Sequence, residues 1–211
     1  MILALFLALT LSSFAAYEPL EYFRDVPPEM ERLHRSDIEF LYGLRASKQS
    51  EIHRKFFGGP DGRAYEDFLR ARVRFIGISD CGNPNSAACA EGIFADSTIW
   101  LTKSYMKPSL PQVLRAQIML HERMHLDLRI EHEDCPADYP LASKIFGPLA
   151  KFPSCDKDEN GSFGPGVAML YQVARNCTNC SEKVKADALY YADEYLKHIY
   201  QEEARARVSA F

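Results

Sequence analysis

Residues 111–132 read PQVLRAQIMLHERMHLDLRIEH, and their spacing decides how the rest of the chain is read. Leu114, Ile118, His121, His125 and Leu128 follow one another at intervals of four, three, four and three. On a helix such positions share one face. Pro111 suits a first helical turn and Ser109 is a natural cap, so a helix is expected from 111 to about 129. Two imidazoles four residues apart on an otherwise apolar stripe can turn both Nε2 atoms toward one ion, and zinc favours such nitrogen ligands in four-coordinate sites. Glu122 directly follows the first histidine. A carboxylate there is expected to act as general base, taking a proton from water activated by the metal and passing it to a leaving group. The competing reading is a solvated helix with two incidental histidines. Leu114, Ile118 and Leu128 speak against it.

The unit His121-Glu122-x-x-His125 resembles the signature of the zincin metallopeptidases. The resemblance covers roughly residues 73 to 135. It implies a zincin-like α+β fold, a zinc ion held by His121 and His125, Glu122 as the catalytic residue, and a peptide or protein substrate aligned on an edge strand. Residues 98–102 are the candidate for that strand. The third ligand is less constrained. The metzincin subgroup would place Gly at position 128 and His at 131, where this chain has Leu128 and Glu131. His132 is favoured as the third metal ligand, with Glu131, Glu133 and Asp134 as alternatives, and Glu182 or Glu194 if the ligand comes from a later helix as in gluzincins. His-Glu-x-x-His followed by His-x-x-Cys and Cys-Asp is also similar to little-characterised bacterial secreted proteins. Asp127 is a candidate for orienting a ligand histidine, or else an exposed acid.

Upstream, residues 17–70 read as helical and polar. A first helix is expected after Pro27 and Pro28, a second over about 48–57 ending at Gly58-Gly59-Pro60, and a third over about 63–72. His34 and His53 fall on these stretches and are read as surface histidines. Residues 73–78, VRFIGI, and 98–102, TIWLT, are short and rich in β-branched and aromatic residues, so both are read as strands. Residues 80–90 look turn-rich. Residues 131–166 look loop-like and carry two cysteines. Two helices are expected to close the chain, one over about 165–175 and one over about 181–208. Tyr190, Tyr191, Tyr195 and Tyr200 on the last are assigned to packing and helix surface.

The 211 residues are 47% apolar and 26% charged, so a packed core is feasible. The net charge of −4, with Lys and Arg dispersed among acids, excludes a nucleic-acid-binding stripe. Residues 1–15 resemble a secretory signal, apolar and ending in small residues, although no Lys or Arg precedes the apolar run. That predicts a secreted or periplasmic protein with no membrane insertion once the signal is removed. The six cysteines are even in number, as expected for disulfides in an exported chain. Pairing them locally, 81–89, 135–155 and 177–180, is the simplest of the 15 arrangements. Cys177-x-x-Cys180 would alternatively be a redox motif or half a zinc site.

Asp156, Asp158, Asn160 and Gly161 match the first half of a calcium loop, but position 12 is Val167, and an acidic surface turn is the preferred reading. The sites at Asn160, Asn176 and Asn179 fit the glycosylation pattern. The expected organisation is a signal at 1–15, a helical segment at 16–72 and a zincin-like region at 73–211: α+β, with a small sheet, an active-site helix and C-terminal helices, stapled by disulfides. The functional expectation is a zinc metallopeptidase with metal ligands His121, His125 and His132. The alternative is a non-catalytic zinc-binding or disulfide-stabilised structural protein. Oligomeric state and substrate preference are not encoded in any motif of the chain.

Overall fold

A computed structural model describes residues 23–82, 86–91, 97–127, 130–140 and 155–210. The segment read as a signal lies outside the described residues. The first helix, α1 (Pro28–Gly43), begins at Pro27 with Glu29 and Glu31 in its first turn, where carboxylates suit the positive end of the helix dipole. Its inward face is Met30, His34, Asp37, Ile38 and Leu41. α2 (Glu51–Phe57) starts where the Ser50 hydroxyl accepts from His53 N–H, and it stops at Gly58, whose φ of 74° suits glycine. α3 (Gly62–Arg70) is capped by Asp61. At its start a Cβ on Gly62 would stand 1.8 Å from the Tyr42 carbonyl oxygen, so only glycine allows α1 and α3 to meet there.

Four short strands form a mixed sheet. β1 (Phe23–Arg24), β2 (Phe75–Ile78), β3 (Ala88–Glu91) and β4 (Thr98–Leu101) lie in the order β1-β2-β4-β3. β2 runs parallel to β1 and β4, and β3 runs antiparallel to β4. This order corrects the reading of residues 98–102 as the substrate-aligning edge. β4 is paired on both sides, so its backbone groups are already used, and the edge is β3, which begins inside the stretch read as turns. Trp100 lies across Gly77, where an added Cβ would come within 2.3 Å of the indole.

The helix carrying the histidines, α4 (Gln112–His125), packs against α1, α3, α5, α6 and the sheet. Pro111 rather than Ser109 occupies its cap position, and no side chain caps it. Two helices follow the loop segment, α5 (Phe163–Asn176) and α6 (Glu182–Leu196), which pack on each other, and α7 (Glu202–Ser209) closes the chain. The long final helix expected from the sequence is therefore two. It breaks because the backbones of His198, Tyr200 and Gln201 are engaged by residue 156 and its neighbour: Asp156 N–H donates to the His198 carbonyl, Tyr200 N–H to the Asp156 carbonyl and Gln201 N–H to that of Lys157. One hydrophobic core runs from Met30 in α1 through Leu120 in α4 and Val167 in α5 to Val208 in α7.

The cysteines pair locally, Cys81–Cys89, Cys135–Cys155 and Cys177–Cys180, and no cysteine is left over. Such bonds persist in oxidising compartments. Among the described residues no helix is long and apolar enough to cross a membrane. Cys177-x-x-Cys180 links the end of α5 to the start of α6. His34 and His53 are core rather than surface residues, 1% and 0% exposed. His53 bonds the Tyr65 hydroxyl at 2.7 Å, while His34 packs against Phe23 and Tyr105, and burial lowers the pKa of both to about 3.

α4 is seated on α1 by a buried ion pair. Arg115 grips Asp37 with two parallel hydrogen bonds of 2.7 and 2.8 Å, and the Tyr105 hydroxyl donates to the same carboxylate at 2.8 Å. Asp37 is fully buried, and burial raises its pKa despite these partners. Removing one member of such a pair strands the other's charge. Asp37→Ala should lower unfolding stability by about 3–5 kcal/mol, read from urea denaturation, and an unchanged midpoint would remove this pair from the account of how α4 is held.

Candidate metal centre

His121 and His125 lie one turn apart on α4, with their Nε2 atoms 3.2 Å from each other. His132 arrives from the segment beyond the helix, its Nε2 also 3.2 Å from that of His121. The three ligand atoms all lie within 4.8 Å of one another, and these residues form a group that could hold a metal ion. Ligands about 2.0–2.1 Å from a tetrahedral ion stand about 3.3–3.4 Å apart, so the spacing suits one.

The outer ring nitrogens decide where the lone pairs point. His125 Nδ1 lies 2.8 Å from the Ile130 carbonyl, which can only accept, so Nδ1 carries the proton. His132 Nδ1 lies 3.0 Å from Asp156 Oδ1, and the same argument applies. In the neutral rings both Nε2 atoms therefore present bare lone pairs to His121. One proton cannot satisfy three converging acceptors, whereas a cation can. Burial first, and then the neighbouring histidines, lower the pKa of His121 and His125 and favour the neutral ligand form. His121 Nδ1 is buried without a hydrogen bond of normal geometry, although the Ser162 backbone beside it acts weakly in favour of protonation.

The third histidine is held from behind. Cys135–Cys155 ties its segment to the residue preceding Asp156, and Glu133 and Cys155 exchange backbone hydrogen bonds of 2.8 and 3.1 Å. Asp156 is 3% exposed. Its second oxygen accepts from Phe163 N–H at 2.7 Å, at the start of α5, which leaves Oδ1 for His132. A Cβ on Gly161 would fall 2.2 Å from this carboxyl, so glycine is required there. The Phe163 ring closes the cluster, 4.7 Å from the rings of both His121 and His132 and 4.3 Å from that of His198.

Glu122 is 7% exposed, lines the cavity in front of the histidines, and has its pKa raised by burial to about 8. That cavity measures about 460 Å³ and is walled on its far side by β3. Cys81–Cys89 clips β3 to the turn after β2 beside it.

Other candidates sit elsewhere. Asp127 does not orient a histidine: Arg72 and Arg123 bind its two oxygens. Glu131 lines the cavity outside the ligand group, Glu133 accepts from the Tyr200 hydroxyl, and Glu182 and Glu194 pair with Lys185 and Lys197. Asp134 is exposed and outside the group. The calcium-loop residues are committed otherwise: Asp156 to His132, Asp158 Oδ1 to the Asn160 amide, and Asn160 Oδ1 to the Lys55 ammonium at 2.7 Å. Asp156 is the functional residue that sequence reasoning misassigned, and β3 is the element it missed. The Cys-Asp step at 155–156 was the available signal, since a disulfide to Cys135 brings Asp156 beside His132.

Two measurements test this construction. Asp156→Ala should weaken divalent-metal affinity about 10–100-fold in chelator competition with zinc as probe, and undiminished affinity would show that His132 needs no such support. The second concerns Glu122 in metal-free protein. Its folded pKa lies above its unfolded value of 4.5, so below that value it costs nothing, and stability falls as pH rises toward about 8. Metal-free Glu122→Gln should therefore be more stable than metal-free wild type at pH 8, by a few kcal/mol at most, roughly the upper limit set by linkage. The gap should close toward pH 4.5, and a gap independent of pH in thermal unfolding would count against it.

No family model, no curated protein and no solved structure matches this chain.

Proposed function

We propose that this chain is a secreted or periplasmic zinc-dependent metallopeptidase. The observation that carries the reading is the convergence of the three Nε2 atoms beside a buried carboxylate, Glu122, that faces an open cavity. His121, His125 and His132 would hold the ion. Three histidines are a ligand set suited to zinc, and among the described residues no fourth ligand closes the site. Zinc held there would supply Lewis acidity, polarising a scissile carbonyl and acidifying water.

Glu122 supplies the proton traffic. Its carboxylate accepts a proton from the attacking water as oxygen bonds to the carbonyl carbon. It then delivers that proton to the departing amide nitrogen as the C–N bond breaks. The burial of Glu122 serves this role, because it raises the carboxyl's pKa to about 8, while a bound cation would pull it back down. An extended peptide would lie against β3, whose outer edge is not used by β4. The three disulfides and the lack of a spanning helix among the described residues agree with an exported protein.

The test is metal content with casein turnover in the same samples. About one zinc per chain is expected in wild type, lost in His121→Ala and retained in Glu122→Gln, with turnover in Glu122→Gln reduced at least about 100-fold. Zinc bound without turnover would favour a structural metal site, and absence of binding after reconstitution would end the metal reading.

A further inference from the structure

The cavity is lopsided in charge. Its wall of described residues includes Glu91, Asp127 and Glu131 in addition to Glu122, and no Lys or Arg. These acids are not equivalent. Asp127 is neutralised from behind by Arg72 and Arg123. Glu91 is held by a neutral donor, the Trp100 indole N–H at 3.0 Å from Oε2, which fixes the carboxylate without cancelling its charge. Glu131 is exposed and has no ion pair among the described residues. The two unneutralised carboxylates come from different parts of the lining, Glu91 at the end of β3 and Glu131 beyond the end of α4. Apart from Glu91, the β3 wall carries nothing larger than Ser86, Ala88, Ala90 and the bridged Cys89, which leaves room for a long side chain. Glu122, buried and facing the same space, marks it as built for an occupant rather than as an acidic patch on the surface.

We infer that the cavity selects a peptide segment carrying a Lys or Arg side chain next to the bond presented to the metal, with Glu91 and Glu131 as the residues that determine this preference. This deepens the metallopeptidase reading and rests on it for the position of the bond. A flexible cationic side chain extended along the small-residue wall can reach a carboxylate from β3 and one from the segment after α4. A neutral side chain of equal length gains only apolar contact, and an acidic one meets like charge. Attraction to partly exposed carboxylates is modest, corresponding to a preference of about five- to tenfold, and it is screened by salt.

The experiment uses the full chain, zinc-loaded, in the Glu122→Gln form, which binds without turnover. Three fluorescein-labelled decapeptides, identical except for a central Lys, Gln or Glu, are titrated by fluorescence anisotropy at low ionic strength. Binding about five- to tenfold tighter for Lys than for Gln is expected, weakest for Glu, with the difference shrinking in added salt and when Glu91→Gln and Glu131→Gln are introduced. Equal affinities would overturn the inference. So would a Lys preference that survives loss of both carboxylates, or no binding of any peptide at about 1 mM. Casein turnover by the wild type is measured alongside. Turnover without charge preference removes the selectivity alone, and charge-selective binding without turnover removes the peptidase reading alone.

Discussion

The Nε2 atoms of His125 and His132, their lone pairs fixed inward, each lie 3.2 Å from that of His121, and one proton on His121 cannot satisfy both where a cation can. The surrounding structure can be understood as the means of holding that arrangement. α4 supplies two nitrogens on a rigid turn and is locked in place by burial of Val113, Ala116, Met119 and Leu120 on its other faces. The third nitrogen comes from irregular chain, where rigidity must be imported. It comes from a disulfide, a short antiparallel bridge and a buried carboxylate, all within residues 130–156. Ordering the ligands in advance lowers the entropy that metal binding would otherwise have to overcome.

The same segment links the site to the rest of the molecule. Asp156 joins His132 to the first N–H of α5, and its own backbone N–H donates to the His198 carbonyl between α6 and α7. A carboxylate at a helix N-terminus is favoured by the helix dipole, so the charge that orients His132 is itself stabilised. Lys55 and Arg207 hold Glu159 a few residues on, and this anchors the loop to α2 and α7. The histidine cluster therefore depends on packing among helices that contribute none of its residues.

The sequence was legible where one element carries its own periodicity. The helix and the shared face of His121 and His125 follow from spacing, although α4 ends at His125 with Leu126 as its cap rather than running to about 129, and the simplest cysteine pairing is the one that forms. The small mixed sheet among helices is of the expected class, α+β. What failed is non-local. ACAE at 88–91 lacks the β-branched residues that mark strands, and it becomes one by pairing with TIWL and by its disulfide. The central position of β4 comes from strand order, which no local pattern encodes. Asp156 lies 24 residues from the histidine it orients. The burial of His34, by contrast, could have been read, since it falls four residues from both Met30 and Ile38 on the inward stripe of α1.

Glu122 illustrates the conflict between stability and chemistry within one helix. Its neighbours in sequence, His121 and Arg123, each have polar contacts: the histidine with its partners at the cluster, the arginine with the Phe68 carbonyl and Asp127. The described contacts of Glu122 include no hydrogen bond, and its burial favours the neutral acid in metal-free protein. A cation at the three histidines would oppose that preference, because an opposite charge nearby stabilises the carboxylate. The residue that weakens the empty fold is thus the one whose ionisation is coupled to filling the site. A buried acid with no structural partner on an otherwise well-packed helix is the pattern expected where a site is shaped for a bound ion and a reacting proton rather than for the fold itself.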